Sequence, residues 1–179
     1  MVKFLRPKVL FGLILSLSLL VAACASPYAK NRTLLESQVA PSEIAILAVE
    51  DRTSGNWVPA DALRSALVSA ALDRGFTPLS RHFVDQAGID PDVPALGQAG
   101  VLRLRILSWV DGAEQASSVH LRYHLTLHSE GKVIADILES AQVAADATLL
   151  SLNQAARLER MLGKLAAQMM ADLPPPPSL

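Results

Sequence analysis

The strictest pattern in the chain is an alternation of apolar and polar side chains between residues 119 and 128. The apolar positions are Val119, Leu121, Tyr123, Leu125 and Leu127, and the positions between them are His120, Arg122, His124, Thr126 and His128. Successive side chains of a β-strand point to opposite faces of a sheet. The alternation therefore predicts a strand with one buried and one solvated face.

Neighbouring segments extend this strand into a sheet. Residues 101–110 alternate in the same way, with Arg103 and Arg105 on the polar side. Residues 129–132 have the composition of a tight turn, in which Gly131 can take a positive φ. Residues 133–144 then return as a weaker strand. These segments predict an antiparallel meander with one dry and one wet face.

A strand, a helix and another strand precede the meander. Residues 43–50 form a short apolar run with β-branched side chains, which is typical of a strand buried on both faces. Pro59 suits the first position of a helix, and Gly75 suits the position just after its end. The apolar stripe of this helix consists of Leu63, Leu67, Ala70 and Ala71. Arg64 falls off that stripe. With residues 76–79 as the next strand, the order predicts a βαβ-like unit.

The last long segment, residues 149–173, predicts a helix that Gly163 weakens in its middle. Its stripe is made by Leu158, Met161, Leu162, Leu165 and Met169. The chain is therefore predicted to be a single α/β domain of two or three layers over residues 43–173. Its mixed sheet begins with a βαβ unit, continues as an antiparallel meander and is followed by a C-terminal helix. Residues 174–179 form a Pro-rich tail.

The N-terminus has the pattern of an export signal. Lys3, Arg6 and Lys8 precede an uncharged, mostly apolar run from residue 9 to residue 21. This run of 13 residues is too short for a bilayer span, which needs roughly 20. It fits the apolar region of a signal peptide, here residues 1–23, followed by a small-residue cleavage site.

The cleavage site is informative because it ends in cysteine. Val21-Ala22-Ala23-Cys24 resembles the lipobox of bacterial lipoproteins. The resemblance implies diacylglycerol on the Cys24 sulfur, cleavage before Cys24 and a further acyl chain such as palmitate on the new amino terminus. Ala25 stands where such lipoproteins carry Asp for inner-membrane retention. The resemblance therefore implies an outer-membrane anchor, a domain on the periplasmic face and a lipid-anchored tether over residues 24–42.

Charge and cysteine usage exclude several classes of function. Residues 1–23 carry three positive charges and no negative ones, so their removal changes the formal charge from −1 to −4. A mildly acidic chain does not favour a nucleic-acid partner. Cys24 is the only cysteine, which rules out an intramolecular disulfide and a multi-cysteine metal site. We expect no cofactor.

Three histidines on the polar row, His120, His124 and His128, invite a metal hypothesis that strand geometry opposes. Positions four apart on a strand are about 13 Å from each other, whereas each ligand of a zinc ion lies about 2 Å from the metal. We expect no metal site and a solvated sheet face. A partner surface that gains charge near pH 6 is the alternative.

The cations of the meander suggest a contact surface. Arg103, Arg105 and Arg122 are expected to share the wet face, with Trp109 at the end of the same row. Such a face is either simply solvated or a contact for an acidic partner, for which Arg and Trp are favoured residues. Trp57, in a polar loop, is equally consistent with an interface and with a cap on the core.

No catalytic residue is predicted. Glu50 and Asp51 end a strand, where open α/β sheets often hold ligands. No nucleophile with a paired base and no Gly-rich phosphate loop accompanies them in the sequence, so we expect a protein that is not an enzyme.

The order of these elements resembles a family of small outer-membrane lipoproteins with a TolB-N-terminal-like domain, of the LpoB and CsgG type. The matching features are the helix ending in Gly75, the entry Ala99-Gly100-Val101-Leu102 into a strand, and the hairpin that turns at Gly131-Lys132. The resemblance implies a non-catalytic accessory or assembly factor that contacts envelope proteins during envelope biogenesis. The alternative is an oligomeric subunit of a secretion or transport complex.

Overall fold

A computed structural model describes residues 31–34, 40–55, 57–88, 99–111, 118–145, 147–150 and 152–177. The predicted signal peptide, Cys24, the start of the predicted tether and most of the Pro-rich loop before residue 99 lie outside the described residues.

A mixed, open sheet of seven strands organises the described part of the chain. The strands are β1 (Asn31–Leu34), β2 (Glu43–Ile46), β3 (Glu50–Asp51), β4 (Thr77–Pro78), β5 (Gly100–Asp111), β6 (Ser118–Ser129) and β7 (Lys132–Ala144). The helices are α1 (Ala60–Asp73), α2 (Arg81–Gln86), α3 (Ala147–Leu150) and α4 (Gln154–Ala171). The strand order is β1-β7-β6-β5-β2-β4, and β3 pairs with β5 beyond the end of β2. The mixed α/β class predicted from the sequence is confirmed.

The βαβ unit consists of β2, α1 and β4, with β2 parallel to β4 and to β5. Pro59 is the N-cap of α1 and so lies one position before the first helical residue. Gly75 follows the C-cap residue Arg74 with a φ of 86°. A positive φ at this position ends the helix without the steric cost of a Cβ, as the sequence predicted.

The meander β5-β6-β7 is antiparallel throughout. Ser129 pairs with Lys132 across the tight turn between β6 and β7. Glu130 and Gly131 have φ angles of 51° and 74°. Positive φ at both central residues is the requirement of a type I′ hairpin turn, whose twist matches that of the strands. Gly131 was predicted in this role, and Glu130 shares it.

The core lies between one face of the sheet and helices α1 and α4, which gives these elements two layers. Its members are apolar side chains from both helices and from the meander, including Leu63, Leu67, Met161, Leu165, Leu104, Ile106, Leu125 and Leu127. The predicted C-terminal helix is divided in two. Asn153 caps α4, because its side-chain oxygen accepts a hydrogen bond from the Ala156 amide at 2.9 Å.

Residues 31–34, expected within the tether, instead form an edge strand. In β1, Asn31 pairs with Leu138 and Leu34 with Ala135 of β7. Strand pairing uses backbone groups, so a polar edge strand needs no apolar alternation and leaves no periodic signal in the sequence. In the part of the chain that the structure describes, no helix has the length and apolar character needed to cross a membrane.

Arg64, expected off the buried stripe, is 2% exposed. Its Nε and Nη2 atoms donate hydrogen bonds to the Ile46 carbonyl oxygen at 3.0 and 2.8 Å. Its Nη1 donates to Asp85 at 3.1 Å. A buried guanidinium is tolerated because these bonds replace its hydration. One side chain of α1 thus joins the end of β2 to α2.

Replacing Arg64 by Met should lower the free energy of unfolding by about 2 kcal/mol, because the variant removes two donors from a buried carbonyl oxygen. Asp85→Asn should cost less, about 1 kcal/mol, since the Asp85 side chain is 53% exposed and the amide oxygen of the variant can still accept a hydrogen bond from Arg64 Nη1. Urea denaturation followed by circular dichroism measures both values. Equal losses in the two variants would contradict the dominance of the Ile46 contact.

Two glycine substitutions should have opposite effects. A Cβ on Gly100 would lie 2.5 Å from Cγ of Pro41 and 3.2 Å from Cδ1 of Leu127, so Gly100→Ala should cost about 1–3 kcal/mol through overpacking. A Cβ on Gly163 of α4 would have no atom within 4 Å, so Gly163→Ala should stabilise by about 0.5–1 kcal/mol. Thermal unfolding of the two variants checks the sign of each effect. A Gly100→Ala midpoint at or above that of the unsubstituted protein would refute the close packing at this strand entry.

Candidate partner surface on the outer sheet face

The face of the sheet opposite α1 and α4, called the outer face here, carries the cations that the sequence singled out. Arg103 and Arg105 lie on it at alternate positions of β5 and are half-buried, whereas Arg122 of β6 is exposed. The strand alternation positions all three. Their surroundings differ, and these differences decide what each can bind.

Trp109 does not belong to the outer face, contrary to the predicted row. It is 2% exposed and packs in the core, paired with the buried Leu121 of β6. The register of β5 against β6 shifts between Ile106 and Ser108. This one-residue bulge reverses the alternation, because every later side chain moves to the other face. Ser108 and Val110 thereby become the outward residues.

Glu50 of β3 lies at the centre of a cluster of guanidinium groups. Arg52 Nη2 donates a hydrogen bond to its Oε2 at 2.8 Å. Arg105 Nε donates to the same oxygen at 3.3 Å. Arg103 Nε lies 3.3 Å from Oε1, an ion-pair distance without hydrogen-bond geometry. The parallel pairing of Glu50 with Arg105 places the carboxylate there.

The surrounding charges determine the protonation of Glu50. Partial burial raises the pKa of its carboxyl, but the Arg52 hydrogen bond and the charges of Arg105, Arg103 and Arg52 outweigh burial and leave the pKa below its ordinary value. The pKa of the neighbouring Asp51 is also lowered, because its side chain accepts hydrogen bonds from Thr53. A carboxylate with a lowered pKa that is held by guanidiniums is a poor proton acceptor, so Glu50 is suited to structure rather than acid–base chemistry.

The histidine row is only partly solvated. His120 is exposed, and His124 Nε2 lies 2.7 Å from Asp136 Oδ1. Thr126 and His128 are buried, so the predicted solvated face is wrong at this end of β6. Arg103 opposes Thr126 across the strand pair, and long side chains cover their neighbours on a sheet face. Among the described residues no group of three or more His, Cys, Asp and Glu side chains could hold a metal ion.

A shallow hollow of about 360 Å³ opens at the other end of the outer face. Its exposed outward side chains are Ser108, Val110, His120, Arg122, Ser140 and Gln142. We call these six residues the Arg122 surface. Arg122 was predicted as a site residue, and His120 was named with the alternative of a partner surface. The outward positions of Ser108 and Val110 depend on the β5 bulge, and those of Ser140 and Gln142 depend on the register with β7; neither has a local sequence signal.

Trp57, the other tryptophan, is 71% exposed in the loop before α1. Its side chain therefore does not cap the core, and the interface alternative for this residue stays a prediction.

No family model and no curated protein matches the chain. Solved structures do share its fold. The PelC dodecamer of Paraburkholderia phytofirmans superimposes with a TM-score of 0.52 at 11% identity, over 82% of this chain and 98% of that one. A variant of the same protein gives 0.53 at 9% identity, over 83% and 98%. At these identities the likeness shows the fold alone.

Two further solved structures have lower scores. Lipoprotein GNA1162 from Neisseria meningitidis has a TM-score of 0.48 at 12% identity, over 74% of this chain and 100% of that one. The LpoB C-terminal domain from Salmonella enterica has a TM-score of 0.38 at 21% identity, over 62% and 87%. Scores below 0.5 are too low to support an argument, so the resemblance to the LpoB and CsgG type stays a prediction.

Glu50→Gln should destabilise the protein at neutral pH by about 1 kcal/mol, because it leaves Arg103 and Arg105 as unneutralised neighbours. Since the pKa of Glu50 in the folded protein lies below its ordinary value, the stabilisation by Glu50 is fully present above that ordinary value and is lost as pH falls through the pKa of the folded protein. The stability difference between the two proteins should therefore shrink on acidification.

The urea midpoint measured as a function of pH tests this expectation. Glu43→Gln, a change of the same chemistry at an exposed position of β2, serves as the control and should alter neither the midpoint nor its pH dependence. A Glu50→Gln deficit that stays constant down to strongly acidic pH would show that the ionised carboxylate is not the stabilising species.

Proposed function

We propose that the chain is a periplasmic lipoprotein, anchored in the outer membrane through acylated Cys24, that acts without catalysis by contacting other proteins in envelope biogenesis. The observation that carries this proposal is the lipobox-like Val21-Ala22-Ala23-Cys24 at the end of an export-signal pattern. Stable anchoring by lipid takes more than one acyl chain, which this type of modification provides.

The outer face supports contact rather than chemistry. The Glu50 carboxylate, on β3, is held by Arg52, Arg103 and Arg105 and has a lowered pKa. In contrast, Arg122 projects from an open part of the sheet where a partner protein has access. Arginine is one of the residue types that most often contribute strongly to binding at protein interfaces.

An oligomeric subunit of a secretion or transport complex is the second candidate. The likeness in fold to PelC, which forms a dodecamer, favours this second candidate. A ring of identical copies forms when each copy carries two different surfaces that bind each other on neighbouring copies. The native mass of the detergent-extracted protein separates the two candidates, since a monomer argues against a ring.

Metabolic labelling with a clickable palmitate analogue tests the anchor. The labelled protein should fractionate with the outer membrane, and Cys24→Ser should abolish both the label and the membrane association. Because Cys24 is the only cysteine, no other thiol can carry the lipid. Ser26→Ala, two positions away, is the control and should keep both properties. Membrane association that persists in unlabelled Cys24→Ser would remove the lipid anchor from the proposal.

A further inference from the structure

Among the described residues, the outer face divides into a half whose cations each contact a carboxylate and a half in which Arg122 contacts none. In the first half, Arg103 and Arg105 each lie 3.3 Å from Glu50, and Asp136 lies 2.7 Å from His124. In the second half, Arg122 has no carboxylate partner among the residues that the structure describes. Arg122 is thus the outer-face arginine that the described residues leave exposed and without a carboxylate.

Strand register places hydrogen-bonding groups around this guanidinium. Ser108 of β5 and Ser140 of β7 lie directly opposite Arg122, one on each side. In the next row, Val110 and Gln142 flank His120 in the same way. Adjacent strands are about 4.8 Å apart, so the two rows span about 10 Å across the sheet. The Arg122 surface therefore consists of two rows of side chains across three adjacent strands, with Arg122 on the middle strand.

The side chains of the Arg122 surface are suited to binding a carboxylate. A guanidinium binds carboxylate oxygens through two parallel hydrogen bonds, and this pairing is stronger than neutral hydrogen bonds. The Ser108 and Ser140 hydroxyls can donate to the same oxygens. Val110, 56% exposed, adds apolar area beside the charge. Together these groups match an acidic side chain flanked by apolar residues.

The shape of the Arg122 surface suits a macromolecular ligand rather than a small molecule. Small ligands bind in concave sites that bury most of their surface. The Arg122 surface is instead a shallow hollow on an open sheet face, formed by six exposed side chains. A protein segment can cover such a surface, because its neighbouring residues exclude water around the buried pair.

We infer that the Arg122 surface is the docking site for an acidic segment of a partner protein, with the partner's carboxylate on Arg122 between Ser108 and Ser140. This inference rests on the proposed function by contact and assigns it a surface and a chemical class of partner. Arg103 and Arg105 are half-buried and contact Glu50, so the inference assigns the partner's carboxylate to the exposed Arg122 instead.

Binding of a defined peptide to the full chain in mild detergent tests the inference. The probe is a blocked, fluorescently labelled peptide of alternating Glu and Val, and its control replaces each Glu with Gln. The Glu peptide should bind saturably and the Gln peptide should not. Arg122→Gln should weaken binding at least about tenfold, the effect expected when hydrogen bonds to a charged group are lost. Arg160→Gln, the same change at an exposed site on α4, should leave binding unchanged.

A second variant keeps Arg122 in place. Ser140→Glu sets a carboxylate directly opposite Arg122 and should block the peptide by occupying the guanidinium. Absence of saturable Glu-peptide binding up to millimolar concentration would overturn the inference, as would equal binding of both peptides or unchanged binding in Arg122→Gln. A change in native mass in Arg122→Gln would also overturn it, because the surface would then join copies of this chain.

The two proposals can fail separately. Palmitate labelling tests the acylation of Cys24 and is independent of Arg122. Loss of labelling with retained peptide binding would refute the lipid anchor and leave the docking site supported. Retained labelling without peptide binding would refute the docking site and leave the lipid anchor supported.

Discussion

The buried guanidinium of Arg64 fixes the point at which the chain leaves β2. It binds the carbonyl oxygen of Ile46, the last residue of that strand, and reaches Asp85 on α2, so three elements meet at one side chain. Four residues after Ile46 the chain rejoins the sheet as β3, beside β5. The placement of Glu50 among the outer-face arginines thus depends on where β2 ends.

The outer face shows how one sheet surface can serve two purposes. Around Glu50, the carboxylate of β3 contacts Arg103 and Arg105 of β5, and these contacts support the pairing of the two strands. Around Arg122, the same face keeps an arginine exposed among small and polar side chains. Interactions between exposed charges are largely screened beyond about 10 Å at ordinary salt. In the docking that we infer, recognition therefore depends on short-range contact at Arg122.

Periodic burial made much of the fold predictable. The alternation of β6 and the stripes of α1 and α4 follow from repeated apolar positions, and the structure buries those positions. Features set by single residues or distant partners were not predictable. Trp109 enters the core because of a bulge at Leu107, an apolar residue that carries no sequence signal of a bulge. Arg64 is buried because its partners, Ile46 and Asp85, converge only in three dimensions. Of the predicted contact residues, Arg122 alone combines the predicted face with an exposed guanidinium.

The edge strand β1 has a mechanical consequence. It is the first described strand and joins the sheet only through β7, over four residue pairs. If Cys24 is the anchor, six residues lie between it and Asn31, and the stretch from Cys24 to Asn31 spans at most about 25 Å. Any pulling force between the membrane and the folded domain would then act on the hydrogen bonds between β1 and β7 before it reached any other part of the sheet. Separation of β1 from β7 would lengthen the chain between the anchor and the folded domain while leaving the core intact. Strand β1 would then act as a segment of the tether that extends under force.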